Sequence, residues 1–406
     1  MSRTVRTTVT LLFAAWLVDY ADRLVINLAL PSLGHEFRLG HGAQGLLVSA
    51  FFLAYALCQI PGGMLSDRFG ARRVTCWALL LWSVFTALTG FARSFAVLLV
   101  VRFLFGMAEG AFPPASTTLL VERTTPAQRM GANGLILSSN AFAAVLVPLL
   151  AAPLISAFGW RSAFFSTAAL GVLVLGALRL WLPAPLDGGG TPAPAGREVL
   201  GQVLRTGVLW RFAGMMYGYN TIVWGLTTWV PTYLDDDRGV SLTSIGALAA
   251  VPALGAAIAT IVGGRLADRL GGHHRTVIVP AMAVSALALA LLAVVSSLTG
   301  FLVLVAVAVS VASLAYMPIF AVPLRALPPG RVGVGSAVIV FGGQLAGMIT
   351  PPVLGVLADA FSFRAAFACL VLGAVAAAVM AWLTPQDADA FRAAALLSDA
   401  RTLEPS

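Results

Sequence analysis

Along the chain, apolar runs of about 20 residues recur from end to end, separated by short polar or charged stretches. At about 1.5 Å per residue, a helix of that length spans the roughly 30 Å hydrocarbon layer of a bilayer. An equally apolar soluble chain would have no polar face to turn to water. Twelve runs qualify, at residues 8–33, 43–65, 74–92, 95–121, 128–157, 162–182, 208–234, 242–267, 276–299, 300–324, 332–357 and 364–384. The pattern predicts an all-α membrane protein of twelve transmembrane helices. Composition agrees, since 59% of the 406 residues are hydrophobic and only 10% charged. The first run, preceded by Arg3 and Arg6, has the look of a secretory signal. Charge and a second apolar stretch, Leu24 to Leu30, follow it in place of a small-residue cleavage site, so it reads as a retained helix.

Every one of the 25 basic residues is arginine, and the net charge is +8. On the predicted loops these arginines segregate. Alternate loops hold Arg3, Arg6, Arg68, Arg72, Arg73, Arg123 and Arg129 with eleven more from Arg179 to Arg401, against Arg38, Arg93, Arg161, Arg238 and Arg364 on the other side. This is the positive-inside asymmetry. The basic excess therefore sets orientation, with both termini expected in the cytoplasm, and no nucleic-acid partner is implied. Cys58, Cys76 and Cys369 fall in apolar spans with no metal-ligand spacing, and they read as packing residues.

Residues 183–207 are rich in Pro and Gly and read as a cytoplasmic linker between an N-terminal part, 1–182, and a C-terminal part, 208–384, with a solvated tail at 385–406. The two parts repeat each other. "GGMLSDRFGARR" (62–73) returns as "GGRLADRLGGHHR" (263–275), and "PLLAAPLISAFGWRSAF" (148–164) as "PPVLGVLADAFSFRAAF" (351–367). In the first repeat Gly63 permits close helix approach, Asp67 can cap a helix or pair with an arginine beside Arg68, and Gly70 permits the tight turn before Arg72 and Arg73. Gly264, Asp268, Arg269 and Gly271 are the second copy. This duplicated loop resembles the signature of the major facilitator superfamily. The resemblance implies two pseudo-symmetric six-helix bundles that rock about a central site.

Five charged side chains lie clearly within the apolar spans, away from their ends: Asp19, Asp22 and Arg23 in the first, Arg102 and Glu109 in the fourth. At roughly 2.5–3.5 kcal/mol per charge at a helix centre, five unpaired groups would cost about 12–18 kcal/mol. That rivals a whole domain's stability of about 5–15 kcal/mol. They must face one another or a water-filled cavity. Asp19, Asp22 and Arg23 stand at i, i+3 and i+4, so Asp19 and Arg23 can pair; Arg102 and Glu109 are two turns apart on one face, about 10 Å along the axis. Fully ionised, the set carries three negative and two positive charges, and one proton neutralises it. A buried carboxylate that takes up a proton can release an arginine to an anionic substrate. A salt bridge that only fixes packing is the plainer alternative.

The Asp-Arg pair in the first helix, the Arg and Glu seven apart in the fourth, and "GWRSAF" entering the sixth together resemble the anion:cation symporter branch, importers of sugar acids such as hexuronates, aldonates and aldarates. The resemblance implies that Asp22 and Glu109 carry protons, that Arg23 binds the substrate carboxylate, and that Arg102 exchanges between Glu109 and the site. Asp19 lies outside that pattern and is a further candidate for proton coupling. Pocket candidates are Tyr55 and Gln59 on one face of the second helix, Asn220 and Trp224 in the seventh, Asn140 in the fifth and Gln344 in the eleventh; helix packing accounts for these residues equally well. The expected function is proton-coupled uptake of a small organic anion by a monomer in a bacterial inner membrane. Neither a metal nor a cofactor is expected, and no enzymatic constellation is visible. Proton-driven export of a drug or metabolite, or symport of an aromatic carboxylate, are the alternatives.

Overall fold

A computed structural model describes residues 2–185 and 197–401, and all regular structure among them is helical. The helices are α1 (Arg3–Phe37), α2 (His41–Phe69), α3 (Ala71–Phe91), α4 (Phe95–Gly110), α5 (Phe112–Glu122), α6 (Pro126–Leu137), α7 (Ser139–Phe158) and α8 (Trp160–Trp181), then α9 (Arg197–Arg205), α10 (Gly207–Asp236), α11 (Leu242–Arg269), α12 (Arg275–Leu292), α13 (Leu298–Ser313), α14 (Tyr316–Ala326), α15 (Pro329–Ala360), α16 (Phe363–Cys369), α17 (Val371–Leu383) and α18 (Ala388–Arg401). Ten helical stretches among the described residues are long and apolar enough to cross a bilayer. The remaining two of the expected twelve are α1, which carries three charges at mid-length, and α10. The chain forms two compact units, 1–194 with 231–250 and 195–230 with 251–406.

Local chemistry explains where the helices stop. Gly70 and Gly159 end α2 and α7 with φ of 86° and 79°, a region that only glycine enters freely. Ser2, Ser94, Ser297 and Ser362 cap α1, α4, α13 and α16 by accepting backbone N–H groups. Thr125 and Gln128 form a reciprocal capping box with Pro126 in the first turn of α6. Four of the expected spans are interrupted, at Ala111, at Ser138, at Leu314–Ala315 and at Leu370. In the fourth span, Pro113 and Pro114 follow the break and donate no N–H to Glu109 and Gly110. The break therefore falls two residues after the ionisable Glu109.

The repeat detected in sequence recurs in packing, one residue away from the expected glycine. A Cβ on Gly62 would strike the Ala111 backbone, whereas one on Gly63 would meet only Pro114, at 3.7 Å. In the second unit Gly263 lies against the Leu314 backbone, and Gly264 only touches Met317, at 3.5 Å. Close approach thus belongs to the first glycine of each pair, and each seats its helix on the break of a neighbour. Asp67 is exposed, while its counterpart Asp268 accepts a hydrogen bond from Arg325 at 3.2 Å.

Two segments differ from expectation. The tail folds as α18: Phe391 is buried against Phe212, and Arg392 donates to the carbonyls of Arg325 and Ala326. Its alanines give no apolar stripe, so its helicity rests on propensity and on this one anchor. Of the expected linker, residues 186–196 lie outside the described residues; 197–205 form α9, whose Gln202 accepts from Arg331 at 2.5 Å.

His274, in the loop after α11, is fully buried beside Phe212, and burial pushes its imidazole down from 6.5 to about 4. Between those values the unfolded chain binds a proton that the folded chain refuses, so stability present above pH 6.5 is lost as pH falls toward 4. The melting temperature in detergent is expected to fall over that window, and less steeply in His274→Leu. Parallel pH profiles for the two proteins would contradict this account.

Candidate functional site

Glycines on α4 build the floor of the site. A Cβ on Gly106 would sit 2.5 Å from the Phe51 carbonyl oxygen, and one on Gly110 would sit 2.5 Å from that of Tyr55. These contacts let α4 lie directly on α2 and carry Glu109 to the level of Tyr55. Gly106→Ala is therefore expected to cost about 1–3 kcal/mol through overpacking and to displace the site. Gly176→Ala, where no heavy atom lies within 4 Å of the added carbon, is the neutral control. Equal thermal stability of the two variants would refute the close packing.

The five charges converge within the first unit. Asp19 and Glu109 are fully buried, Asp22 and Arg102 nearly so, and Arg23 is 7% exposed. Arg23 donates from Nε to Glu109 Oε2 at 3.2 Å and from Nη2 to Asp19 Oδ1 at 3.1 Å, with Asp19 Oδ2 at 2.9 Å. Both donors along one edge of its guanidinium are thus taken by carboxylates from two helices, and the two carboxyls lie within hydrogen-bonding reach of each other. The Arg23 guanidinium also stands over Tyr55, 4.5 Å from the ring centroid, with Tyr20 at 5.3 Å and Phe51 at 5.4 Å. Asp22 accepts a hydrogen bond from Thr86 on α3 at 3.1 Å. Arg102 lies between Phe105 and Phe164, 5.1 and 5.0 Å from their centroids, within electrostatic reach of Asp22 and Glu109.

Helix spacing anticipates the Asp19–Arg23 pair. It does not anticipate the pairing of Glu109 with Arg23 in place of Arg102, which depends on the approach of α4 to α1. Asp19, outside the resemblance, is as much a part of the arrangement as Glu109. Among the pocket candidates Tyr55 joins the cluster. Gln59 is half-buried one turn beyond it, and Asn140 is exposed beside the break at Ser138. Asn220, Trp224 and Gln344 belong to the second unit, all half-buried. There Asn220 donates to the Met216 carbonyl at 3.1 Å and packs against Gly343. Thr86, Tyr20, Phe105 and Phe164 are site residues that sequence reasoning missed. A lone threonine or phenylalanine in an apolar span carries no mark of its neighbours.

"GWRSAF" acquires a structural meaning. Arg161 donates twice to Glu36, at 2.8 and 2.6 Å, and Trp160 donates to the same carboxylate at 2.7 Å, tying the end of α1 to the start of α8. These hydrogen bonds hold the Glu36 carboxyl below its ordinary 4.5. The acids of "YLDDDRG", expected to be solvated, are partly engaged: Asp236 lies 3.2 Å from His35 and 3.4 Å from His41, with Asp235 4.0 Å from His35.

A family model, Major Facilitator Superfamily, matches residues 11–272 and 233–396. The chain belongs to the Major Facilitator Superfamily. It is accordingly a multi-pass membrane transporter and not an enzyme, and its relatives include proteins named as transporters of sugar acids. It is 27% identical to the hexuronate transporter of Bacillus subtilis over 86% of each chain. It is 30% identical to the probable sulfoacetate transporter SauU of Cupriavidus necator over 63% of each chain. It is 29% identical to the probable galactarate/D-glucarate transporter GarP of Escherichia coli, over 64% of this chain and 66% of that one. The chain thus spans somewhat under two thirds of two of these three relatives. A bacterial homologue of the human lysosomal transporter Spinster, solved in an inward-facing conformation, shares the fold along its full length, with a TM-score of 0.79 at 20% identity.

Proposed function

We propose that this transporter is a proton-coupled symporter that takes up a small organic anion, a sugar acid such as a hexuronate, aldonate or aldarate. The observation that carries the reading is Arg23, held by Asp19 and Glu109 in a buried site. While both carboxylates are ionised, the guanidinium has acceptors and an anion gains little by displacing them. When the pair takes up protons the guanidinium loses its partners, and a substrate carboxylate is the replacement with matching charge and geometry. Proton and anion are linked because each changes the other's affinity through the same group. The resemblance to hexuronate, galactarate/glucarate and sulfoacetate transporters supports the anion class.

In this reading Glu109, Asp22 and Asp19 exchange protons and Arg23 takes the carboxylate. Residues 1–182 and 208–384 act as the two rocking bundles, joined by 183–207 and followed by the tail 385–406. The asymmetry of arginines supports cytoplasmic termini, and the reading takes the protein to act as a monomer in a bacterial inner membrane. Purified protein in liposomes should accumulate a radiolabelled sugar acid when an inward proton gradient is imposed and lose that accumulation on addition of a protonophore. Accumulation indifferent to the gradient would rule the coupling out.

A further inference from the structure

The two buried arginines are not in the same state. The Nε and Nη2 donors lie along one edge of a guanidinium, the edge that binds an oxyanion through two parallel hydrogen bonds. On Arg23 that edge is shared between Glu109 and Asp19. On Arg102 both Nε and Nη2 are buried without a hydrogen-bond partner, although the side chain is 2% exposed and fixed between Phe105 and Phe164. Leaving two charged donors unsatisfied is costly, and the donors call for an acceptor that brings negative charge. Close by, Oδ2 of Asp22 and Oε1 of Glu109 are also buried without a donor, and an acceptor of that kind calls for a proton. The unsatisfied atoms of the cluster are therefore of two sorts, one fitting oxyanions and one fitting protons.

The groups that face this site are Asp19, Tyr20, Asp22 and Arg23 from α1, Tyr55 from α2, Thr86 from α3, Arg102 and Glu109 from α4, and Phe164 from α8. Only two of them are permanent cations. With all three carboxyls protonated, the site presents two positive charges.

Resting on the transport reading above, we infer that the site is built for a dianion. One oxyanion group seats on the free Nε/Nη2 edge of Arg102, and the second takes the same edge of Arg23 after Asp19 and Glu109 have given it up to protons. A buried cluster that must be neutral when empty and when loaded keeps one proton at rest and gains two with the dianion. A monoanion can occupy only one of the two edges and leaves the donors of the other arginine without an acceptor.

The test compares a six-carbon aldarate, with two carboxylates, and the aldonate of the same chain in equilibrium binding to the purified full-length protein at pH 6. The aldarate is expected to bind about tenfold or more tighter. In Arg102→Lys, which keeps the charge and loses the planar edge, that ratio is expected to fall to within about threefold, with folding of the variant reported by its thermal unfolding in detergent. Equal affinity of the two acids in the wild type, or an unchanged ratio in Arg102→Lys, overturns the dianion site and leaves anion transport standing. If the wild type binds neither acid, both readings fall. The wild-type ratio is a sufficient test by itself should the variant not fold.

Discussion

Glu109→Gln is expected to bind substrate and exchange it across liposome membranes while losing much of the accumulation driven by a pH gradient. The substitution keeps the shape of the side chain, and its amide oxygen can still accept from Arg23 Nε, so the packing of α4 on α2 is undisturbed. It removes one of the two carboxylates that hold Arg23 and with it one of the protons that the site exchanges. One pH unit is worth about 1.4 kcal/mol, so one coupled proton supports about a tenfold concentration ratio per unit. In the variant the ratio should fall by about that tenfold factor per pH unit, whereas counterflow, in which unlabelled anion inside drives entry of labelled anion, should continue. Full accumulation by Glu109→Gln would remove Glu109 from the coupling machinery.

Removing Arg23 should have the largest effect on stability. Arg23→Gln leaves Asp19 and Glu109 side by side, fully buried, with no cation between them. Breaking one partner out of a buried ion pair costs about 3–5 kcal/mol, and here two carboxylates lose their partner together. The loss should be largely repaired by adding Asp19→Asn and Glu109→Gln, which leave a neutral hydrogen-bonded group in place of the charges. Binding of carboxylates should not return in the triple variant, because the receptor itself is gone. Thermal unfolding in detergent and equilibrium binding, measured on the same preparations, separate these two outcomes. A triple variant that binds a sugar acid as the wild type does would show that Arg23 is not its ligand.

Much of the fold is written in the length of the apolar runs. All twelve expected spans have a helical counterpart, because in hydrocarbon the chain has no alternative way to satisfy its backbone, and only the ninth, expected to reach 299 and ending at Leu292, misses by more than about five residues. The interruptions at Ala111, Ser138, Leu314–Ala315 and Leu370 are less legible. Pro113 and Pro114 flag the first, but Leu370 is followed by residues that continue a helix readily. The tail escaped for the opposite reason, since α18 has a single buried aromatic anchor and no apolar stripe to count. Within the site, the Asp19–Arg23 pair follows from four-residue spacing, and the improbability of five unpaired charges in hydrocarbon brings Arg102 and Glu109 in. Which arginine meets which carboxylate depends on the separation of α1 and α4, which has no periodic signature, and on the seating of α4 on α2 through Gly106 and Gly110. The free edge of Arg102 is visible only once every donor has been paired.

One linkage underlies the proposed transport, that anion and protons enter the same buried cluster together. It is tested most directly by adding a saturating sugar acid to concentrated, weakly buffered transporter and following a pH indicator. The expected result is uptake of at least one proton per bound anion, lost in the Asp19→Asn/Glu109→Gln double variant. Saturable binding of the anion with no change in bound protons would contradict it.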